Sequence, residues 1–357
     1  MDGAGNLGVP VYRDHLLPRN LPDYSAGLEA SWELDLWGKL RARKAAALQR
    51  VMASEAGRQL VQTGLISEVA CLYFDLVATD SIQAVLEETT RIQSEALATV
   101  TSQREAGLTT VLAEEQFSAR LESLRAMQIE GQQEIIEIEA SIRILVGNPA
   151  FRIERSTLGL DAGGTSDWAL ELPADLLDRR PDVREAASEL AAASADVRAV
   201  RAAFLPSVSI TGALGLTALR PDLLPSGQSM AYSLAGGLAA PLINRSAIKA
   251  EYKQAGAAEL EALATYLQSV VNAVVEVQSH QARLEGLARL RDLKARETEI
   301  LTRSTETAAE LFERRRATYL ELLAAKQAAL DARLEYVDIL RRIRRVQVGL
   351  YRALGGG

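Results

Sequence analysis

Two periods of apolar and polar residues alternate along this chain. From Tyr24 to Leu36 the period is two: Tyr24, Ala26, Leu28, Ala30, Trp32, Leu34 and Leu36 fall on one face, and Ser25, Gly27, Glu29, Ser31, Glu33 and Asp35 on the other. Ser207–Thr217 and Tyr232–Leu242 repeat that alternation, so the pattern predicts three strands with one apolar face each. Residues 40–105 and 110–147 carry a longer period and predict two helices joined near Arg104–Thr110. The second of these has a stripe at Leu121, Leu124, Gln128, Gly131, Ile135, Ile138, Ile142 and Leu145, apolar or small except for Gln128 and spaced three and four apart. A sustained 3.5-residue repeat predicts a coiled-coil seam.

The whole pattern occurs twice. Adding 208 to Ala42, Glu68, Leu76, Thr110, Ile135 and Gly147 gives Ala250, Glu276, Leu284, Thr318, Ile343 and Gly355. The seam maps onto Ala329, Ala332, Tyr336, Ile339, Ile343, Val346, Leu350 and Ala353, all apolar or aromatic. Gly147–Pro149 and the terminal Gly355–Gly357 are helix stop signals. Four segments follow: a polar stretch over 1–23, a first repeat over 24–148, a linker over 149–175, and a second repeat over 176–357 that holds a helix, two strands and a helical pair. A helix of about 60 residues extends on the order of 90 Å, far more than a globular core needs.

Composition excludes more than it assigns. Ten Pro and five Phe are few in 357 residues, which favours long helices. The net charge of −7 arises from interspersed charges of both signs, without the basic block that nucleic acid would need. The single Cys71, inside a helical stretch, is expected to act as a small buried hydrophobe, and His280 as a solvated helix-face residue. His15 and His280 are too isolated for a metal site. Neither a nucleophile–base pair nor a phosphate-cradling loop stands out, so no enzyme and no cofactor is expected. No run of 18 apolar residues predicts a transmembrane helix.

The strands change the picture. Soluble strands usually run about 5–6 residues, whereas these alternate over 11 to 13, the length of a tilted membrane-spanning strand. Tyr24, Trp32, Trp37 and Tyr232 are candidate interface aromatics. Three strands cannot close a barrel, and open edges are not tolerated in lipid, so several chains must contribute. A soluble coiled-coil scaffold is the competing reading, and it leaves the long alternating strands unexplained.

Trp32-Glu-Leu-Asp-Leu-Trp-Gly-Lys-Leu-Arg-Ala42 resembles the strand-to-helix signature of the outer-membrane efflux protein family. Asp178-Arg-Arg-Pro-Asp-Val-Arg-Glu-Ala-Ala187, Ala202-Ala-Phe-Leu-Pro-Ser-Val-Ser-Ile-Thr-Gly212, Pro241-Leu-Ile-Asn-Arg-Ser-Ala-Ile-Lys-Ala250 and Leu350-Tyr-Arg-Ala-Leu-Gly-Gly-Gly357 follow in that family's order. The resemblance implies a mainly α channel-tunnel fold: a trimeric β-barrel in the outer membrane of a Gram-negative cell above a long periplasmic coiled-coil tunnel. It implies a homotrimer in outer-membrane lipid, a periplasmic membrane-fusion (adaptor) protein, and an inner-membrane RND pump that supplies the energy for passive conduction. A type I protein secretion system is the nearest alternative. By the same resemblance Gly107, Leu108, Thr109, Thr110, Arg315, Arg316, Ala317 and Thr318 are adaptor-contacting tips. Leu320, with Leu112 in the first copy, aligns with an apolar constriction. The family's acidic ring position is Ala324 here, so Glu321, Glu114 or Glu115 are the substitutes. The first repeat lacks the leading helix and strand of the second, and a signal or lipoprotein segment is not seen, so the sequence reads as an N-terminally truncated member.

Overall fold

The computed structural model describes residues 24–155, 160, 176–218, 229–240, 245–314 and 316–356. The elements run β1 (Tyr24–Leu34), α1 (Lys39–Glu105), α2 (Val111–Val146), α3 (Leu176–Arg179), α4 (Pro181–Ala202), β2 (Ser207–Ala218), β3 (Met230–Ala239), α5 (Arg245–Glu313) and α6 (Tyr319–Ala353). The repeat survives as geometry. Shifted by 208, the ends of α1 fall on 247 and 313, against Arg245 and Glu313 for α5, and the start of α2 falls on Tyr319, the first residue of α6. The polar segment over 1–23 and most of the 149–175 linker lie outside the described residues.

The chain divides into two compact units. The first comprises residues up to Glu55 together with Glu185–Gln268. Its strands form one antiparallel sheet in the order β1-β2-β3. β1 ends at Leu34, two residues before the alternation does, because Asp35 is recruited to start α1. Its carboxylate accepts from the backbone N–H groups of Leu40 (3.0 Å) and Arg41 (2.9 Å), supplying the acceptor that free helix-start donors need. Gly38 makes the bend at φ 77°, a left-handed conformation that costs glycine nothing. Trp37 donates its indole N–H to Pro206 O (2.7 Å), and Lys39 pairs with Glu33 (2.8 Å). Each polar or special residue of the Trp32–Ala42 signature thus has a task in turning a strand into a helix. Beside the sheet, Ala46 and Ala53 of α1 and Ala192, Ala195 and Ala199 of α4 are buried. Arg50 pairs with Asp196, and Ser194 donates to Glu259 (2.6 Å).

The second unit comprises Ala56–Arg184 and Ser269–Gly357 and holds the helical hairpins. The seam positions of α2 and α6 are all buried or half-buried, as a 3.5-residue stripe facing partner helices requires. Leu76 of α1 packs on Ile138 and Ile142 of α2, and Leu284 and Leu287 of α5 on Ile339, Ile343 and Val346 of α6. The hairpins also pack on each other: Val77 and Ala78 meet Val337 and Leu340, while Leu86 and Leu124 meet Leu330. By composition α1 holds a window long and apolar enough to cross a membrane, but Leu76, Val77 and Ala78 are covered by α2 and α6.

A buried arginine clamps one end of the second hairpin. Arg180, 7% exposed at its side chain, holds Asp182 with both arms of its guanidinium (3.0 and 2.7 Å), donates to Glu276 (2.8 Å), and caps the Ala353 carbonyl at the end of α6 (2.9 Å). Arg352 adds a second contact to Glu276 (3.1 Å). Burial acts to raise the Glu276 and Asp182 pKa values, but the hydrogen bonds and charge of Arg180, joined by Arg352 at Glu276 and by backbone N–H groups at Asp182, together outweigh it and hold both below their ordinary values. The Asp178–Ala187 motif is this clamp.

Two expectations are corrected. His280 is half-buried, with its ring against Gly349 and Nδ1 unpaired; burial lowers its pKa. Cys71 is half-buried, not buried.

Candidate functional site: sheet face and helix tips

Registration turns three separate alternations into one surface. Leu28 faces Leu214, which faces Tyr232; Trp32 faces Ile210, which faces Gly236; Leu34 faces Val208, which faces Leu238. Directly opposed residues share a face, so one side carries only Ala, Leu, Trp, Val, Ile, Gly, Met and Tyr across the three strands between Ala26 and Leu238. The other side carries Ser, Thr, Gly, Ala and two carboxylates, Glu29 and Glu33. A one-residue slip would mix the two. Leu28 is 73% exposed, Trp32 65%, Leu234 80% and Leu238 75%, an apolar area that water disfavours and lipid accepts. Tyr24 and Tyr232 lie toward the loop end of this sheet, and Trp32 and Trp37 toward the helix end. Eleven residues at about 3.4 Å, tilted near 45°, rise about 26 Å, the height of an outer-membrane apolar band.

The hairpin tips are built differently on a shared template. In the first, Leu108 N–H donates to Gln103 O (2.8 Å) and Gly107 N–H to Arg104 O (2.9 Å), with Gly107 at φ 71°. Thr110 caps α2 through Ala113 N–H (3.3 Å). Glu114 then reaches back to α1, accepting from Thr101 (2.8 Å) and pairing with Arg104 (2.5 Å). In the second, Thr318 caps α6 and Glu321 closes a capping box, accepting from the Thr318 N–H (2.7 Å) and hydroxyl (2.9 Å). Those bonds lower the Glu321 pKa. Behind both tips Val100, Ala113, Phe117 and Leu322 form one buried cluster, flanked by Phe312 and Tyr319.

A family model described as "Outer membrane efflux protein" matches residues 11–148 and 172–356. The chain is 30% identical to the pyoverdine export outer membrane protein OpmQ of Pseudomonas aeruginosa, over 94% of this chain and 70% of that one. It is 28% identical to the cation efflux system protein CusC of Escherichia coli, over 100% and 77%. Among solved structures, the outer-membrane channel OprN superposes with a TM-score of 0.90 at 27% identity, over 98% of this chain and 80% of that one. CusC superposes at 0.87 and 28%, over 97% and 81%. This chain belongs to the outer membrane efflux protein family. It has the channel-tunnel fold, resides in the outer membrane, and is an efflux channel rather than an enzyme.

Within this efflux protein the residues singled out from sequence separate into groups. Gly107, Leu108, Thr109 and Thr110 form one turn, and Arg316, Ala317 and Thr318 the other; Arg315 lies outside the described residues. Leu112 and Leu320, repeat equivalents, are 53% and 52% exposed beside the turns. Glu115 is exposed. Of the expected ring carboxylates, Glu114 accepts from Thr101 and pairs with Arg104 of α1, and Glu321 accepts from Thr318. Sequence reasoning missed Arg104, Thr101 and Phe117. A Glu at the fourth helical position facing an Arg at the previous helix end was the available signal for the first two.

Proposed function

We propose that this efflux protein is the outer-membrane channel of a tripartite, RND-type efflux system, a homotrimer that passively conducts small molecules or metals from periplasm to exterior. The supporting observation is the single apolar sheet face. β1 and β3 each keep one edge unpaired among the described residues, and lipid does not tolerate open edges, so further copies supply the missing neighbours. Exposed apolar residues along the helices, Leu260, Leu263 and Leu267 on α5 and Ile129, Ile136 and Ile144 on α2, suit the same assembly. Relatives named for pyoverdine export and cation efflux favour small-molecule efflux over protein secretion. The tips 107–110 and 315–318 are the adaptor contacts in this reading, and Leu112 and Leu320, with Glu115, the constriction.

The test is to place a charge on either face. A basic residue on the lipid face costs about 2–4 kcal/mol at the bilayer midplane and Asp less; Leu214→Asp, on the apolar face, is expected to lower the amount of trimer in outer-membrane fractions. Ser209→Asp, on the small polar face, is expected to leave it there. Equal tolerance of both changes would overturn the membrane assignment of the sheet.

A further inference from the structure

Behind the tips the two hairpins do not close fully. A cleft of about 270 Å³ remains between them, walled by all four long helices. Ile92, Leu124 and Leu330 give it an apolar floor, and Lys326 of α6 lines it as well. The Lys326 ammonium lies 5.9 Å from the centroid of the Phe117 ring, and it makes no ion pair with any described residue. Burial alone pushes its amine below the ordinary lysine value, with no carboxylate opposing the shift. Of the other charged groups on the walls, Arg333 is neutralised by Glu88 (3.1 Å), leaving Arg120, Lys326 and Glu306, a balance of one positive charge.

An amine withdrawn from water without a counter-ion is costly. An organic acid entering the cleft would supply that counter-ion and lay its apolar part on Ile92, Leu124 and Leu330. We propose that this cleft is a binding site for a small amphipathic carboxylate, with Lys326 as its charge partner. The volume falls just under the roughly 300–1,000 Å³ of drug-sized pockets, so the ligand is limited to one ring or a short chain. Because the walls come from both hairpins, an occupant bridges them beyond the buried cluster that backs the tips. A lysine serving only to cover Phe117 with its stem would bind no acid.

The probe is 4-(trifluoromethyl)benzoate, followed by fluorine NMR with the detergent-solubilised full chain, with 4-(trifluoromethyl)benzamide as the neutral control. Saturable benzoate binding is expected, weakened by about tenfold or more in Lys326→Met and kept in Lys326→Arg, with the benzamide insensitive to either change. Reductive methylation of the lysines with carbon-13 gives a second readout on protein with wild-type sequence. The Lys326 resonance, identified by its loss in Lys326→Arg, should titrate at higher pH when benzoate is present. Benzoate binding that is equal in wild type and Lys326→Met, absent altogether, or without effect on the Lys326 titration would overturn the proposal.

Discussion

The two hairpins share a template and differ in how their tips are tied. The first is cross-linked at its tip, where Glu114 of α2 holds Thr101 and Arg104 of α1. The second is clamped at its far end by buried Arg180, while the described part of its tip has backbone bonds from Arg316 and Ala317 to Leu311 O (2.8 and 3.2 Å) and a capping box within Thr318–Glu321, without a carboxylate tie between its helices like that of Glu114. The helices differ too. α6 buries 11 residues where α2, of nearly equal length, buries six, because α6 packs on α1 and α2 as well as on α5. Near its base the first hairpin has a tie of its own, Arg155 pairing with Asp80 of α1 (2.7 Å) and Glu139 of α2 (2.8 Å), so the contrast between the repeats lies at the tips. A tip without a cross-tie opens locally at lower cost than one with it.

The largest expected effect comes from removing the base clamp. Arg180→Met strands Asp182 and the Ala353 carbonyl and leaves Glu276 with Arg352 alone, at a cost of about 3–5 kcal/mol, and hydrogen exchange should rise at the end of α6 while the first hairpin changes little. Acid should act in the same direction. Asp182 and Glu276 have folded pKa values below ordinary, so their contribution is complete above the usual carboxylate range near about 4 and is lost as pH falls through the folded values. Unfolding that shows the same acid limb in Arg180→Met as in wild type would remove the clamp from this account.

Next in size, Glu114→Gln should cost about 1 kcal/mol, since the pair is part-exposed, and exchange should quicken on both sides of the first turn, at Thr101–Arg104 and at Ala113. Thr318→Ala also costs about 1 kcal/mol as a lost cap, yet its effect should stay within the start of α6. If exchange spread equally across both tips in the two variants, the contrast between them would fail. Leu320→Ser should raise resting conductance in planar bilayers more than Leu112→Ser, because the tip without the cross-tie moves more easily; equal effects would equate the tips. Smallest of all, Arg303→Gln removes an exposed pair with Glu299 at 3.9 Å and should change stability by under about 0.5 kcal/mol.

Much of this was legible beforehand. The offset of 208 predicted matching helix lengths and turn positions, which depend on short-range spacing; that the recurring Thr110 and Thr318 both serve as caps is a finding of the structure. Strand alternation predicted a two-faced sheet, but not the register that puts Leu28, Leu214 and Tyr232 in one row. Leu36 belonged to the alternation and was lost to the turn, because Asp35 gains more by capping α1 than β1 gains by two further residues. The carboxylates at the tips were legible as residues and not as partners: whether a Glu faces a pore or its own helix start depends on one helical position. His280 looked solvated because nothing in its neighbourhood along the chain shows that Gly349, 69 residues later, offers a notch for its ring.

By itself the sequence determined the periods: which stretches coil, which extend, where each turn falls, and that the design occurs twice. These follow from local sterics and from burying one stripe or one face, which neighbours along the chain encode. Only the tertiary structure decided which charges are spent on holding the fold and which remain for function. Arg180, Glu114 and Lys326 are each an ordinary charged residue along the chain, but the first is buried among partners, the second is paired across a turn, and the third lies in a cleft without an ion-pair partner among the described residues. That difference is set by long-range packing, where desolvation weighs on each charge and only the fold determines whether a counter-charge is within reach.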